Sequence, residues 1–244
     1  MSSIDTYFNN LSDLIARTQQ SQHDAMEEAA RRIADCLKGG GMLYTFGTGH
    51  GHLLALEIFY RAGGMACVCP ILDEKLMLHI SAAGSTLEER REDWVDTLLE
   101  RYPIKEGDVL ISISNSGRNA VPVLLAQQAQ RRGAFVIALT SMQHTLSVTA
   151  RNKENLRLFE TADLILDNGG VPGDAAVSFA DGAMVGPTST AVGAAILQAI
   201  VCRVKEISLE EGFEADFFKS SNIDGGDEWN NRLIEKYKSI PGLI

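Results

Sequence analysis

Short apolar runs and helix-periodic stretches alternate along most of this chain, and that alternation limits the architectures open to it. Met42–Phe46, Met65–Ile71, Asp108–Ile113, Ala134–Thr140 and residues 163–167 are almost continuously apolar. Strands of that kind are buried on both faces, as in a parallel sheet covered by helices. Between them, apolar residues recur three and four apart and predict helices over 52–62, from Asn119 to Arg132, and, more briefly, over 145–151. Thr86-Leu87-Glu88-Glu89 reads as a capping box opening a further helix that runs to Arg101. Together these predict an α/β fold with a doubly wound, five-stranded parallel sheet in the order 2-1-3-4-5.

Helical spacing also covers residues 4–38, with a polar break at Thr18-Gln19-Gln20-Ser21 and a stop at Gly39-Gly40-Gly41. Residues 1–20 carry little core of their own, so this N-terminal helical extension is expected to pack on a partner subunit. Residues 21–206 then form the domain. Within it, 168–187 is glycine-rich and reads as irregular, and Thr188 to Glu206 reads as a long apolar helix. The tail, 207–244, contains a short helix near 228–238 and is expected to pack on the domain or on a partner.

In a sheet of this order, ligands bind at the carboxyl ends of strands one and three, where the strand order reverses. The two most unusual loops follow those two strands. The first is Gly47-Thr48-Gly49-His50-Gly51-His52, whose glycines let backbone approach an anion ahead of a helix N-terminus. It lacks the full spacing of a dinucleotide loop, because position 52 is histidine. The second is Ser114-Asn115-Ser116-Gly117-Arg118-Asn119, where short hydroxyl and amide side chains cluster before a helix and can donate to phosphate oxygens. Arg118 either pairs with that phosphate or is solvated.

Composition narrows the partners. The net charge of −10 disfavours a nucleic-acid surface, which needs basic residues to displace counterions. No apolar stretch reaches membrane-spanning length, and Met1-Ser2-Ser3-Ile4-Asp5 lacks the basic and apolar parts of a leader. A cytoplasmic protein with reduced thiols is expected. Cys67 and Cys69 read as buried on one side of a strand, and no second pair lies at ligand spacing, so no metal is expected.

The second loop and its flanks resemble the phosphosugar-binding domain of the sugar isomerase (SIS) family, over about residues 21–205. Phe59-Tyr60-Arg61-Ala62-Gly63-Gly64, Val185-Gly186-Pro187-Thr188-Ser189-Thr190 and residues 220–228 are similar to a bacterial subgroup related to phosphoheptose isomerases. The resemblance implies a flavodoxin-like three-layer sandwich with no cofactor. It implies that Ser114, Asn115, Ser116 and Asn119 hold a sugar phosphate, with Gly117 shaping the turn. Thr48, Gly49, His50 and Gly51 would contact phosphate or sugar. Thr140 and Ser141 would lie near the sugar, and Thr188 and Ser189 would begin a helix that closes the site. A homodimer or homotetramer with shared sites is also implied. Gly51 stands where many relatives carry serine. Glu57 and Arg61 fall where the zinc-using phosphoheptose isomerases place histidine and glutamate, which sets this chain apart from them.

Aldose–ketose isomerisation needs a base of raised pKa beside a carbonyl-bearing carbon. Glu57 is the first candidate, on a helix whose side chains lean toward the first loop. His52 and His79 follow, as groups able to move protons near neutrality. Glu88 and Glu89 are assigned to the capping box, and Asp174 and Asp224 to polar loops within reach of a partner's site. The expected activity is proton transfer on a sugar phosphate. The alternatives are a non-catalytic sugar-phosphate sensor, and an etherase or deaminase on an amino-sugar phosphate.

Overall fold

The computed structural model describes residues 2–244. Helix α1 (Ser3–Ser21) begins at Ser2, whose hydroxyl accepts from Asp5 N–H in a true capping box. It breaks at Gln22 into α2 (His23–Lys38). Next come β1 (Leu43–Gly47), α3 (Gly51–Glu57), β2 (Val68–Ile71), α4 (Ala82–Glu88) and α5 (Trp94–Arg101). They are followed by β3 (Val109–Ile113), α6 (Ala120–Arg131), β4 (Phe135–Thr140), α7 (Met142–Leu146) and β5 (Leu164–Asp167). A hairpin of β6 (Ala175–Ser178) and β7 (Met184–Pro187) precedes α8 (Ser189–Glu210) and α9 (Gly226–Tyr237).

The main sheet has five parallel strands in the order β2-β1-β3-β4-β5, as the alternating pattern predicts. Side chains alternate across it. Tyr44, Phe46, Leu110 and Val136 face a core closed by α5, α6 and α9, while Leu43, Ile111, Ile113 and Leu139 face one closed by α2, α3 and α8. The tail joins this body: Gly63 and Ala66 donate to Phe218 and Asp216, and Phe218 donates back to Gly64. Among the described residues, no helix is long and apolar enough to cross a membrane.

Several local expectations are corrected. Residues 168–187 are not wholly irregular but contain the antiparallel β6–β7 hairpin, whose four-residue strands are too short to show an alternating pattern. The helix expected over 52–62 ends at Glu57, because Tyr60 adopts a positive φ of 39° and Gly63 one of 77°. The capping box expected at 86–89 does not open a helix. Ser81 caps α4 by accepting from Gly84 N–H, so Thr86–Glu88 lies in its last turn and the chain breaks before α5. The helix expected at 145–151 begins at Met142, where Ser141 caps it. Cys67 and Cys69 pack in opposite cores, because Cys67 precedes β2 and escapes the strand's alternation. Burial pushes both thiols up to about 12.

The register matters most at the sheet's upper edge. Gly47 closes β1 directly beside Ile113, the last residue of β3. The chain then folds back so tightly that a Cβ on Gly47 would lie 2.3 Å from the Gly51 carbonyl carbon. One on Gly51 would lie 2.8 Å from the Ile113 oxygen. Backbone meets backbone at both places, so neither clash can be relieved by a rotamer. Gly47→Ala should therefore cost about 3 kcal/mol, the upper part of the range for overpacking. Urea unfolding with an unchanged m-value would measure it; a loss below half of that would show the loop to be more yielding.

Candidate functional site

Because β1 and β3 are neighbours, the loops that follow them stand side by side over a cleft of about 360 Å³. Thr48, Gly49, His50 and Gly51 line one side, and Ser114, Asn115, Ser116 and Asn119 another. Ser189 and Thr190, at the start of α8, complete the far wall with Pro187 and Asp174. Of the remaining residues expected at the site, Gly117, Thr140, Ser141 and Thr188 stand behind this lining.

Three of these, Gly117, Thr140 and Ser141, shape the Ser114–Asn119 turn. Gly117 takes a φ of 57°, with Thr145 and Leu158 pressed beneath it, and its carbonyl accepts from Leu158 N–H at 2.8 Å. Its own N–H donates to Ser114 Oγ at 3.2 Å. Thr140 Oγ1 and Ser141 N–H both donate to the Asn115 carbonyl. Ser141 Oγ donates to the Gly170 carbonyl, tying the loop after β5 to the same turn. Asn115 Oδ1 accepts from Asn168 Nδ2 at 2.9 Å. Ser116 is left over: among the described residues, neither its hydroxyl nor its N–H is spent on the rest of the chain.

The structure does not bring Glu57, His52 or His79 into the cleft. The Glu57 carboxylate sits at the end of α3, where it pairs with Arg61 and accepts from Gln198 Nε2 at 3.1 Å. The lean of a helical side chain fails to carry it to the loop because α3 is short and its final turn faces α8. His52 is buried, with its ring 6.4 Å from that of exposed His79. Burial first, and His79 second, hold the His52 imidazole below its usual value.

Glu89 takes the place at the cleft that Glu57 was expected to hold, and sequence reasoning missed it. Its carboxylate accepts from Thr48 Oγ1 at 2.5 Å and from Asn119 Nδ2 at 2.7 Å, so it bridges the two loops. Burial raises its pKa above the ordinary 4.5, against lowering by the Thr48 hydrogen bond and by Arg90 and Arg151. Asn119, whose amide nitrogen is thus committed, keeps Oδ1 buried without a donor. A buried acceptor left unpaired costs of order 1–3 kcal/mol.

His144, Asn168 and Asp174 also line the cleft. Burial, the larger influence, lowers the His144 pKa, opposed by Asp174 and aided by Arg118, so a neutral imidazole faces the cleft near pH 7. Asp174 Oδ1 accepts from Thr188 and Ser189 N–H, and Ser189 Oγ donates to its other oxygen. The N-terminus of α8 is therefore already capped by a carboxylate. Among the described residues, no lysine or arginine lines the cleft. Among the described residues there is no group of three or more histidine, cysteine, aspartate or glutamate side chains placed to hold a metal ion.

With this geometry in place, residues 6–141 match the SIS domain. The chain belongs to the SIS domain family. It is 40% identical over 242 residues to a UPF0309 protein of Halalkalibacterium halodurans, covering 98% of this chain and 97% of the relative. A UPF0309 protein of Listeria innocua is also 40% identical over 242 residues, covering 99% and 98%. Among solved structures, this SIS domain is similar to the phosphoheptose isomerase GmhA of Neisseria gonorrhoeae. That match has a TM-score of 0.56 at 16% identity, covering 84% of this chain and 97% of the other. It is also similar to the Vibrio vulnificus NanR protein complexed with ManNAc-6P, with a TM-score of 0.54 at 14% identity, covering 100% and 70%. Identities this low carry the fold alone.

The Glu89 environment generates a stability test. Its folded carboxyl binds a proton more readily than an exposed one. Between pH 4.5 and its raised value, the folded chain keeps a proton that the unfolded chain has lost, and stability falls as pH rises through that window. Above the window the ionised group imposes a constant penalty that an amide lacks. Glu89→Gln should match wild type in melting temperature below pH 4.5, exceed it increasingly through that window and keep a constant advantage above it. Parallel melting curves at every pH would remove the raised carboxyl from this account.

Proposed function

We propose that this SIS domain binds a phosphorylated sugar in the cleft and shifts a proton on it, as an aldose–ketose isomerase does, with Glu89 as the base. The observation that carries the reading is Glu89: Thr48 and Asn119 hold its carboxylate between the two loops, in the lining of the cleft. The phosphate would sit on the Ser114–Asn119 turn, where Ser116 offers an unspent hydroxyl and N–H and α6 presents its N-terminus. With no cation in the lining, oriented dipoles would bear the phosphate charge.

Proton transfer next to a carbonyl asks for a base with a pKa lifted toward neutrality, and burial gives Glu89 that direction. His144, neutral and on the same cleft, is placed to exchange a proton with a sugar oxygen. The roles first considered for Glu57, His52 and His79 move to these two residues. The NanR neighbour, whose solved form carries ManNAc-6P, supports a phosphosugar as the ligand class. The reading includes a homodimer or homotetramer, supported by Ile4 and Phe8, which α1 leaves 68% and 62% exposed.

A panel of hexose and pentose phosphates should raise the melting temperature, while the free sugars should not. Ser114→Ala combined with Ser116→Ala should cancel the shift. Glu89→Gln should keep the shift and lose about 10²–10⁴-fold in turnover, the usual contribution of a positioned base. A shift that survives the double serine change would remove the phosphate from this turn. Binding without turnover in wild type would make the protein a sensor. Sedimentation at micromolar concentration should give a dimer or tetramer; a lone protomer would refute that part.

A further inference from the structure

Behind the cleft runs a chain of hydrogen bonds whose direction is set at its first link. Asn168, buried just after β5, is held at three points. Its N–H donates to the Thr140 carbonyl at 2.9 Å, its Oδ1 accepts from Gly170 N–H at 2.9 Å, and its Nδ2 donates to Asn115 Oδ1 at 2.9 Å. A backbone N–H can only donate, so the bond from Gly170 decides which end of the Asn168 amide is oxygen. Nδ2 is then left to face Asn115, and Asn115 must present Oδ1 in return. The other end of the Asn115 amide, Nδ2, stands 3.5 Å from Nδ1 of His144.

That last link is the longest, but its sign does not depend on its strength. An amide N–H facing Nδ1 is attracted to a ring lone pair and repelled by a ring N–H. The proton of the neutral imidazole is therefore favoured at Nε2, which has no partner among the described residues. Ser141 ties the backbone of the same histidine to the same segment: its Oγ accepts from His144 N–H at 3.1 Å and donates to the Gly170 carbonyl at 2.5 Å. Gly170 thus anchors both the turn that carries the ring and the amides that polarise it.

We propose that Gly170, Asn168 and Asn115 act as a polarised chain that fixes His144 in its Nε2–H tautomer, so that the ring enters the cleft as a donor, with Asn168 as the positioning residue. The tautomer is a property of the empty protein. Its use rests on the isomerase reading above. As Glu89 takes the proton from carbon, the C–H pair forms the carbon–carbon double bond and the carbonyl pair moves onto oxygen. Nε2–H donates to that oxygen as it gains charge. The opposite tautomer would set a lone pair against it.

Long-range 1H–15N correlation spectra of the ligand-free protein, at mildly alkaline pH where the ring is neutral, read the tautomer directly. The His144 signals are assigned by their loss in His144→Gln. Wild type should show Nε2–H. A free imidazole side chain already favours that form, so the decisive readings come from two changes of equal size that reverse the chain. In Asn168→Asp the new carboxylate accepts from Gly170 N–H and has no proton for Asn115. The Asn115 amide turns to donate to it, sets Oδ1 against His144 and draws the ring proton to Nδ1. Asn115→Asp places an acceptor against Nδ1 without any turn and should give the same switch. Cooperative melting shows that each variant is folded. Retention of Nε2–H in either variant, or Nδ1–H in wild type, overturns the chain. In turnover of a sugar phosphate, Asn168→Asp should lower kcat by about 10²-fold, the lower end for a lost oxyanion donor. An unchanged kcat beside a switched tautomer would remove Nε2–H from the reaction. If the switch occurs but wild type turns over no sugar phosphate, the isomerase reading falls and the tautomer chain stands.

Discussion

The Glu89 carboxylate is the joint on which the cleft is assembled. Thr48 comes from the loop after β1 and Asn119 from the loop after β3, and each donates to a different oxygen of the same group. The bridge has an electrostatic consequence, because it draws a carboxylate into the rim of a cleft that already contains Asp174 and no cation. A dianionic ester in such a place must be held by N–H groups and hydroxyls already aimed at it. Arg90 and Arg151, neither of which lines the cleft, act on Glu89 in opposition to its burial.

What lets the loops meet is the parallel register. Gly47 beside Ile113 brings the two strand ends level, and the turn at Gly51 then packs on the Ile113 carbonyl. At Gly51 even a methyl group would strike that oxygen, so the glycine is a steric requirement of this loop.

The sheet was legible in the sequence because each strand is a local signal: a short apolar run whose neighbours are helix-periodic. The strand order and both glycine and serine loops follow from that reading. The acid at the cleft was not legible, for two physical reasons. Glu89 finds its partners 41 and 30 positions away, at Thr48 and Asn119, a relation no local pattern encodes. It also closes the string Thr86-Leu87-Glu88-Glu89, which imitates a capping box, although the cap is five residues earlier at Ser81. Glu57 drew attention for its place on an apolar helix, but the strained turn at Tyr60 ends that helix and leaves the carboxylate to Arg61. Asp174 looked like a turn former; that it also caps α8 depended on the hairpin between them, which its four-residue strands concealed.

That hairpin is fastened to the beginning of the chain. The Tyr7 hydroxyl donates to the Pro187 carbonyl at 2.9 Å, and Asn10 Nδ2 donates to the Ala176 carbonyl at 2.8 Å. Pro187 lines the cleft, and Asp174 sits one residue before β6, so the far wall hangs from α1 by two hydrogen bonds. Tyr7 also packs against Gly186, where a Cβ would meet its ring at 2.8 Å, so the opening helix is part of what holds the far wall in place.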